Sequence, residues 1–169
     1  LAAALGGFAP VDKPSHAAQK RREEIQLRFN QGVLMLHARQ YEHAITSFHR
    51  VLALDPEMPE AHVNMGFALI GTERFPAARD FFESALALRR DQLNAYYGLA
   101  VALEGLGDLP AAVGAMRTYT HLAPTDDPYR SKAEAALWEW QAQLARERGA
   151  AAPDAARPPA ARPRPEAKR

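Results

Sequence analysis

The feature that most constrains this chain is a pattern of small and large residues that returns every 34 positions. A small residue recurs at Gly32, Gly66 and Ala100. In each unit an alanine stands 12 residues further on, and a large apolar side chain stands 16 residues further on. These later positions are Ala44, Ala78 and Ala112, then Phe48, Phe82 and Met116. A fixed period of this length is typical of proteins that stack one structural unit on the next.

The small residues indicate how each unit packs. A small residue on each of two helices lets the two backbones approach closely, and the large side chain fills the space beside them. A single pair of antiparallel helices cannot bury its apolar faces alone, so neighbouring pairs must stack. The sequence therefore predicts an all-α fold of three helix pairs. The alternative is an ordinary helical bundle with a chance period.

These units resemble the tetratricopeptide repeat (TPR) family. The family pattern of aromatic-x2-Leu-Gly-x2-Tyr has loose counterparts that begin at Arg28, His62 and Tyr96, of which only Tyr96 is aromatic. The resemblance covers about residues 24–125 and implies a right-handed α-solenoid of helix–turn–helix repeats. The three TPR-like repeats then lie within 15–125, at about 25–58, 59–92 and 93–126.

Capping and breaking residues predict where the helices begin and end. Ser15 is suited to cap the first helix, and Pro59 to open the third, where its missing N–H is not needed. Asp55 and Pro56 end the second helix between them. The pattern predicts six helices, at 16–38, 42–54, 59–70, 75–88, 92–104 and 109–122.

A seventh helix is predicted over 129–148, within a final segment that spans 126–148. Its large apolar residues fall on one face at helical spacing, and most of its charged residues lie elsewhere. A helix of this kind is expected to cap the last repeat of a solenoid. The apolar face consists of Tyr129, Ala133, Ala136, Leu137, Trp140 and Leu144.

The two ends of the chain differ in composition from the repeats. Residues 1–14 open with a small, apolar run, which we interpret as the remnant of a signal peptide or of a membrane anchor. The alternative is a flexible N-terminus. Residues 149–169 consist mainly of Ala, Pro and Arg, so we expect a disordered tail. These features favour a bacterial envelope protein, membrane-anchored or periplasmic, with a cytoplasmic location as the alternative.

Several classes of chemistry find no support in the sequence. The net charge is +1, which predicts no nucleic-acid partner, and the chain has no cysteine to form a disulfide or a zinc–thiolate site. None of the six histidines is four residues from another, so no metal-binding pair is expected. No phosphate-binding loop and no Gly-x-Ser-x-Gly sequence is present. We therefore expect no catalytic residues, no cofactor and no enzymatic activity.

The resemblance implies that the first helix of each pair lines a concave groove. Relatives that grip a C-terminal carboxylate use Lys, Arg and Asn side chains at set groove positions. Here Asn64 remains, but Phe29, Val33, Asn94 and Gly98 occupy the other positions. A dicarboxylate clamp is therefore not expected.

An apolar stripe is predicted in place of the clamp, with two asparagines that can hold the main chain of a bound peptide. An exposed stripe of this size indicates an interaction surface for an amphipathic helix or an apolar segment. The alternatives are that the chain fills its own groove or that these residues form the core. The predicted groove residues are Phe29, Asn30, Val33, Leu36, Val63, Asn64, Phe67, Ile70, Tyr97 and Val101.

The function predicted from these observations is a non-catalytic protein–protein interaction scaffold. Its partner is a helix or peptide segment of another protein, and the scaffold aids assembly or stability of an envelope complex. The hypothesis includes membrane association through residues 1–14. The two alternatives are a structural subunit docked permanently in a larger membrane complex, and a cytosolic adaptor or co-chaperone.

Overall fold

The computed structural model describes residues 15–149, and within that range the chain is helical with no strand. Predictions for residues 1–14 and for the tail beyond residue 149 concern parts of the chain outside the described residues. No helix in the described part is long and apolar enough to cross a membrane. The helices are α1 (His16–His37), α2 (Tyr41–Leu54), α3 (Pro59–Gly71), α4 (Phe75–Leu88), α5 (Leu93–Gly105), α6 (Leu109–Leu122) and α7 (Arg130–Glu147).

Every predicted helix lies within one residue of its expected bounds. The caps explain this agreement, because they act locally. The Ser15 side chain accepts a hydrogen bond from the backbone N–H of Ala18 at 3.3 Å, and that of Asp108 accepts one from Ala111 at 3.1 Å. Pro59 lies in the first turn of α3.

The turn inside each helix pair has the same backbone geometry in all three repeats. Arg39 and Glu73 have left-handed φ angles of 59° and 58°, and Gly107, one repeat further on, has a φ of 79°. Glycine adopts this conformation without a steric cost, whereas Arg and Glu are strained there. The residue after each of them donates its N–H back to the preceding helix, at 2.8–2.9 Å. The period therefore extends to turns whose residue types differ.

A glycine and a phenylalanine on the two helices of a repeat pack as a matched pair. A Cβ atom at Gly32 would lie 2.6 Å from the Phe48 ring, and one at Gly66 would lie 2.6 Å from the Phe82 ring. Both rings are fully buried. The predicted close approach of the two backbones is confirmed, since only glycine leaves room for the ring.

The first residue of α2 and the first residue of α4 each pack on the following repeat. The Tyr41 ring lies against Gly71 and the Phe75 ring lies against Gly105, so that neither glycine has room for a Cβ atom. These contacts join α2 to α3 and α4 to α5. The stack of helix pairs is the all-α solenoid that the period predicts.

Helix α7 closes the C-terminal end of the stack. Ala133, Leu137 and Trp140 are buried in a second core cluster together with residues of α6. Tyr129, which was predicted to lie on this apolar face, instead precedes the helix as its N-cap and is exposed. The helix begins one residue later than expected, so the side chain of Tyr129 turns towards α5.

Candidate peptide-binding groove

A groove of about 490 Å³ lies on the face formed by the first helices of the three repeats. Four predicted residues line it: Leu36, Asn64, Phe67 and Tyr97. The structure therefore brings one groove residue from α1, two from α3 and one from α5 to a common site. The remaining lining residues are His37, Arg39, Tyr41, Asn94, Tyr119 and Tyr129.

The other predicted stripe residues do not line the groove. Val63 is only 5% exposed and belongs to the first core cluster, so its prediction as a groove residue is wrong. Phe29, Val33 and Ile70 are half-buried and pack against that same cluster. Packing against the core therefore takes up apolar surface that the helix register alone would leave open.

Two further predicted residues, Asn30 and Val101, are also absent from the lining of the groove. Asn30 is exposed, and its side-chain oxygen accepts a hydrogen bond from Gln26 at 2.8 Å. Val101 is half-buried on α5. The apolar stripe is therefore shorter than predicted.

Phe67 has two roles. Its ring lines the groove, and it also packs edge-on against the buried Phe82 ring, with the ring centroids 5.1 Å apart. A charged residue at this position would disturb the core as well as the groove. The two asparagines in the groove lining, Asn64 and Asn94, are better probes of binding.

The groove offers amide groups that nothing else in the described structure uses. The side chains of Asn64 and Asn94 lie in the lining and form no hydrogen bond to any described residue. An unpaired amide can donate to and accept from the main chain of a ligand. Among the lining residues, Arg39 carries the one permanent charge, and none carries a carboxylate.

Three tyrosines form the end of the groove nearest α7. The Tyr97 ring lies edge-on to Tyr119, with centroids 5.3 Å apart, and tilted to Tyr129, with centroids 6.0 Å apart. The hydroxyl of Tyr119 donates to Oδ1 of Asp127 at 2.5 Å, and the same oxygen accepts from the backbone N–H of Tyr129 at 2.8 Å. One carboxylate therefore joins α6 to the segment that precedes α7.

Sequence reasoning missed Tyr119 and Tyr129 as groove residues. Tyr119 is on a second helix, where the repeat pattern assigns it to the core, and Tyr129 lies outside the three repeats. The short Asp127-Pro128-Tyr129 connection was the available signal, because an Asp two residues before an N–H can accept its hydrogen bond. No group of three His, Cys, Asp or Glu side chains is placed to hold a metal among residues 15–149.

Comparison with known proteins decides the family. The tetratricopeptide repeat model matches residues 35–83 and residues 69–137, which together cover more than half of the chain. The chain belongs to the tetratricopeptide repeat family. Its expected family membership and all-α solenoid fold are thus confirmed.

Solved structures of TPR domains have the same fold. The first TPR domain of human RPAP3 is similar with a TM-score of 0.68 at 21% identity, covering 75% of this chain and 97% of that chain. The first TPR of Spaghetti (RPAP3), bound to the HSP90 peptide SRMEEVD, has a TM-score of 0.67 at 22% identity, covering 73% of this chain and 94% of that chain. The Arabidopsis OM64 TPR domain has a TM-score of 0.67 at 17% identity, covering 72% of this chain and 97% of that chain. Comparison with curated proteins gives no match.

Two of the clamp positions of this TPR solenoid, Phe29 and Gly98, are occupied by packing residues. Phe29 lies edge-on to the buried Phe48 ring at 5.9 Å, and Gly98 is buried against the Phe82 ring. A long basic side chain at position 98 would have to displace that ring. The absence of a basic residue there therefore has a structural cause.

The alkaline stability of this TPR protein should depend on Tyr119. Burial of the phenol, helped by its hydrogen bond to Asp127, raises the pKa of Tyr119 above its ordinary range. A raised pKa in the folded state stabilises the fold fully below the unfolded-state pKa of about 10, and this stabilisation is lost as the pH rises above it. Tyr119→Phe should lower the free energy of unfolding by about 1–2 kcal/mol near neutral pH. The variant should then lose less stability than the wild-type chain when the pH is raised into the alkaline range.

Urea denaturation at about pH 7 and about pH 10.5 measures both effects. The matched control is Tyr96→Phe, on α5, whose hydroxyl bonds to no described residue. The control should keep the wild-type alkaline loss. An unchanged alkaline loss in Tyr119→Phe would contradict the assignment.

Proposed function

We propose that this chain is a protein-interaction scaffold that binds an apolar or amphipathic segment of a partner protein in its groove. The observation that carries the proposal is the groove of about 490 Å³, which combines an apolar floor with unpaired amides. A TPR domain of the same fold is bound to a peptide in the Spaghetti (RPAP3) complex. Binding, rather than catalysis, is the activity that such a site supports.

The chemistry of the lining predicts the ligand. Leu36, Phe67 and Tyr97 can desolvate apolar side chains of a bound segment, while Asn64 and Asn94 hold its main chain. Arg39 lies at the edge with no carboxylate among the lining residues, so a single acidic group on the ligand would be favoured there. The preferred ligand is therefore a mainly apolar segment that carries one acid.

We further propose that the partner belongs to a bacterial envelope complex that this scaffold helps to assemble. The support is the small, apolar composition of residues 1–10, which suits the end of an exported or anchored segment. Fractionation of cells that express the native gene tests this: recovery with the membrane or periplasm is expected. Recovery only in the cytoplasm would favour an adaptor or co-chaperone instead.

The groove itself is tested by peptide selection followed by fluorescence anisotropy. Displayed peptides selected on the wild-type chain should be apolar with one acidic residue. Asn64→Ala/Asn94→Ala should weaken their binding about 10- to 30-fold, because each lost hydrogen bond contributes about 1 kcal/mol. Both asparagines are on the surface of the groove, so the fold should be unaffected.

The matched control is Asn30→Ala, an exposed asparagine on α1 that does not line the groove. It should bind the selected peptides as tightly as the wild-type chain. If Asn30→Ala and the double variant weakened binding equally, or neither did, the groove would not be the binding site.

A further inference from the structure

The first helix exposes apolar side chains at positions that are buried in the other repeats. Ala61 and Ala68 on α3 are fully buried against the preceding repeat, and so are Ala95 and Ala102 on α5. The residues one repeat earlier on α1 are leucines rather than alanines. Leu27 and Leu34 are 55% and 65% exposed.

This comparison identifies the exposed face of α1 as a stacking face that no other helix among residues 15–149 covers. The equivalent faces of α3 and α5 each receive a helix of the preceding repeat. Larger side chains at the two positions would clash in those junctions, whereas on α1 they project beyond the end of the stack. We call the pair Leu27 and Leu34 the leucine knob.

The opposite end of the stack has a recess. A groove of about 400 Å³ lies between α6 and α7, separate from the peptide-binding groove. Apolar groups from both helices form it, and its polar members include two arginines. The lining consists of Pro110, Val113, Arg117, Gln141, Leu144, Ala145 and Arg148. We call it the end groove.

The knob and the end groove match in length and in charge. Leu27 and Leu34 are seven residues apart, as are Gln141 on α7 and Arg148, the C-cap of that helix, and both separations are about 10 Å. Adjacent helices in this fold run antiparallel. If α1 of a second molecule packed antiparallel to α7, with its two leucines in the end groove, Glu24 of that molecule would lie beside Arg148.

The charges at these two ends are available for pairing. Glu24 is exposed, and its nearest partner is Arg28 at 3.9 Å, the limit of an ion pair. Arg148 is exposed, and its guanidinium pairs with no carboxylate among the described residues. Opposite charges at the rim of an apolar contact set its orientation.

We propose that two copies of this chain associate head to tail, with the leucine knob of one copy inserted in the end groove of the other. The contact uses different surfaces on the two copies, so it is heterologous and each copy keeps one free end. Further copies can add in the same way. The peptide-binding groove stays open, because it shares no lining residue with the end groove.

Sedimentation velocity over a range of concentrations tests the proposal on the full chain. The wild-type mass should rise with concentration. Leu27→Glu/Leu34→Glu removes the knob, and Ala145→Glu/Arg148→Glu blocks the end groove, so each variant alone should remain monomeric. Mixed in equal amounts, the two variants should form a dimer and nothing larger, since one intact knob then meets one intact groove.

Two controls accompany the mixture. Leu88→Glu places the same charge on an exposed leucine of α4, and this variant should associate like the wild-type chain. Circular dichroism should show unchanged helicity in all variants. Glu24→Arg should weaken association, and Glu24→Arg/Arg148→Glu should restore it, because the second change reverses the partner charge.

Three outcomes would overturn the proposal. A wild-type chain that stays monomeric at millimolar concentration would leave residues 1–14 or another protein to cover α1. A groove-blocked variant that still dimerises would indicate a symmetric contact between two knobs. A mixture of the two variants that stays monomeric, while the wild-type chain associates, would place the contact elsewhere.

Discussion

Gly98→Ala is expected to lower the free energy of unfolding by about 1–3 kcal/mol, although it adds only one methyl group. A Cβ atom at Gly98 would overlap the Phe82 ring, which is fully buried and already lies against Gly66 from the other side. The ring is held between two helices of neighbouring repeats and has no space to retreat. The substitution should therefore force apart α4 and α5 or push the ring out of its rotamer.

Urea denaturation followed by circular dichroism measures the loss. The control is Gly114→Ala on α6, where a Cβ atom would meet nothing within 4 Å. Alanine is a better helix former, so this control should gain about 0.5–1 kcal/mol. Destabilisation of similar size in both variants would show that the close approach at Gly98 is not the cause.

A second background separates steric overlap from other effects. Phe82→Met replaces the rigid ring by a slim, adaptable side chain. In that background Gly98→Ala should cost less than it does in the wild-type chain, which a double-mutant cycle detects. An equal cost in the two backgrounds would exclude the ring as the source of the strain.

The third repeat shows a compensation of this kind at the position equivalent to Gly66, the glycine on the other side of the Phe82 ring. There the small position is Ala100 instead of glycine, and the large position is Met116 instead of phenylalanine. Both side chains are buried in the second core cluster. The sequence alone exposes this exchange, since the period aligns the two positions in all three repeats.

The period and the caps predict the helices well because both act over short distances. A serine cap, a proline in a first turn and a small residue facing a large one are each sufficient without knowledge of the rest of the fold. The turn residues Arg39 and Glu73 were not foreseen as left-handed. Their residue types disfavour that conformation, and the stacked helices impose it.

The groove was predicted less well, because exposure depends on contacts between repeats. Register places Val63 and Phe67 on the same helix, yet Val63 is core and Phe67 lines the groove. The packing between repeats decides the difference, because Val63 is enclosed in the first core cluster while Phe67 packs on the outside of that cluster. The end formed by Tyr119 and Tyr129 depends on a connection that does not repeat, so no period could reveal it.

Trp140→Ala is expected to lower the free energy of unfolding by about 3–5 kcal/mol, because removal of a buried tryptophan leaves a large cavity. Trp140 is 9% exposed and belongs to the second core cluster together with Ala133 and Leu137 of α7. Since each unit of a solenoid contacts mainly its neighbours, the loss should fall first on the last helix. We expect α7 to detach from α6 while α1 to α4 keep their structure.

Hydrogen exchange measured by mass spectrometry locates the loss, and the fluorescence of the remaining Trp138 on α7 should shift to longer wavelength. The matched control is Trp138→Ala on the same helix, where the side chain is only half-buried and a smaller cost is expected. Equal loss of protection in α1 and α7 of Trp140→Ala would contradict local detachment. The stack would then unfold as one cooperative unit, and α7 would stabilise the first repeat as strongly as the last.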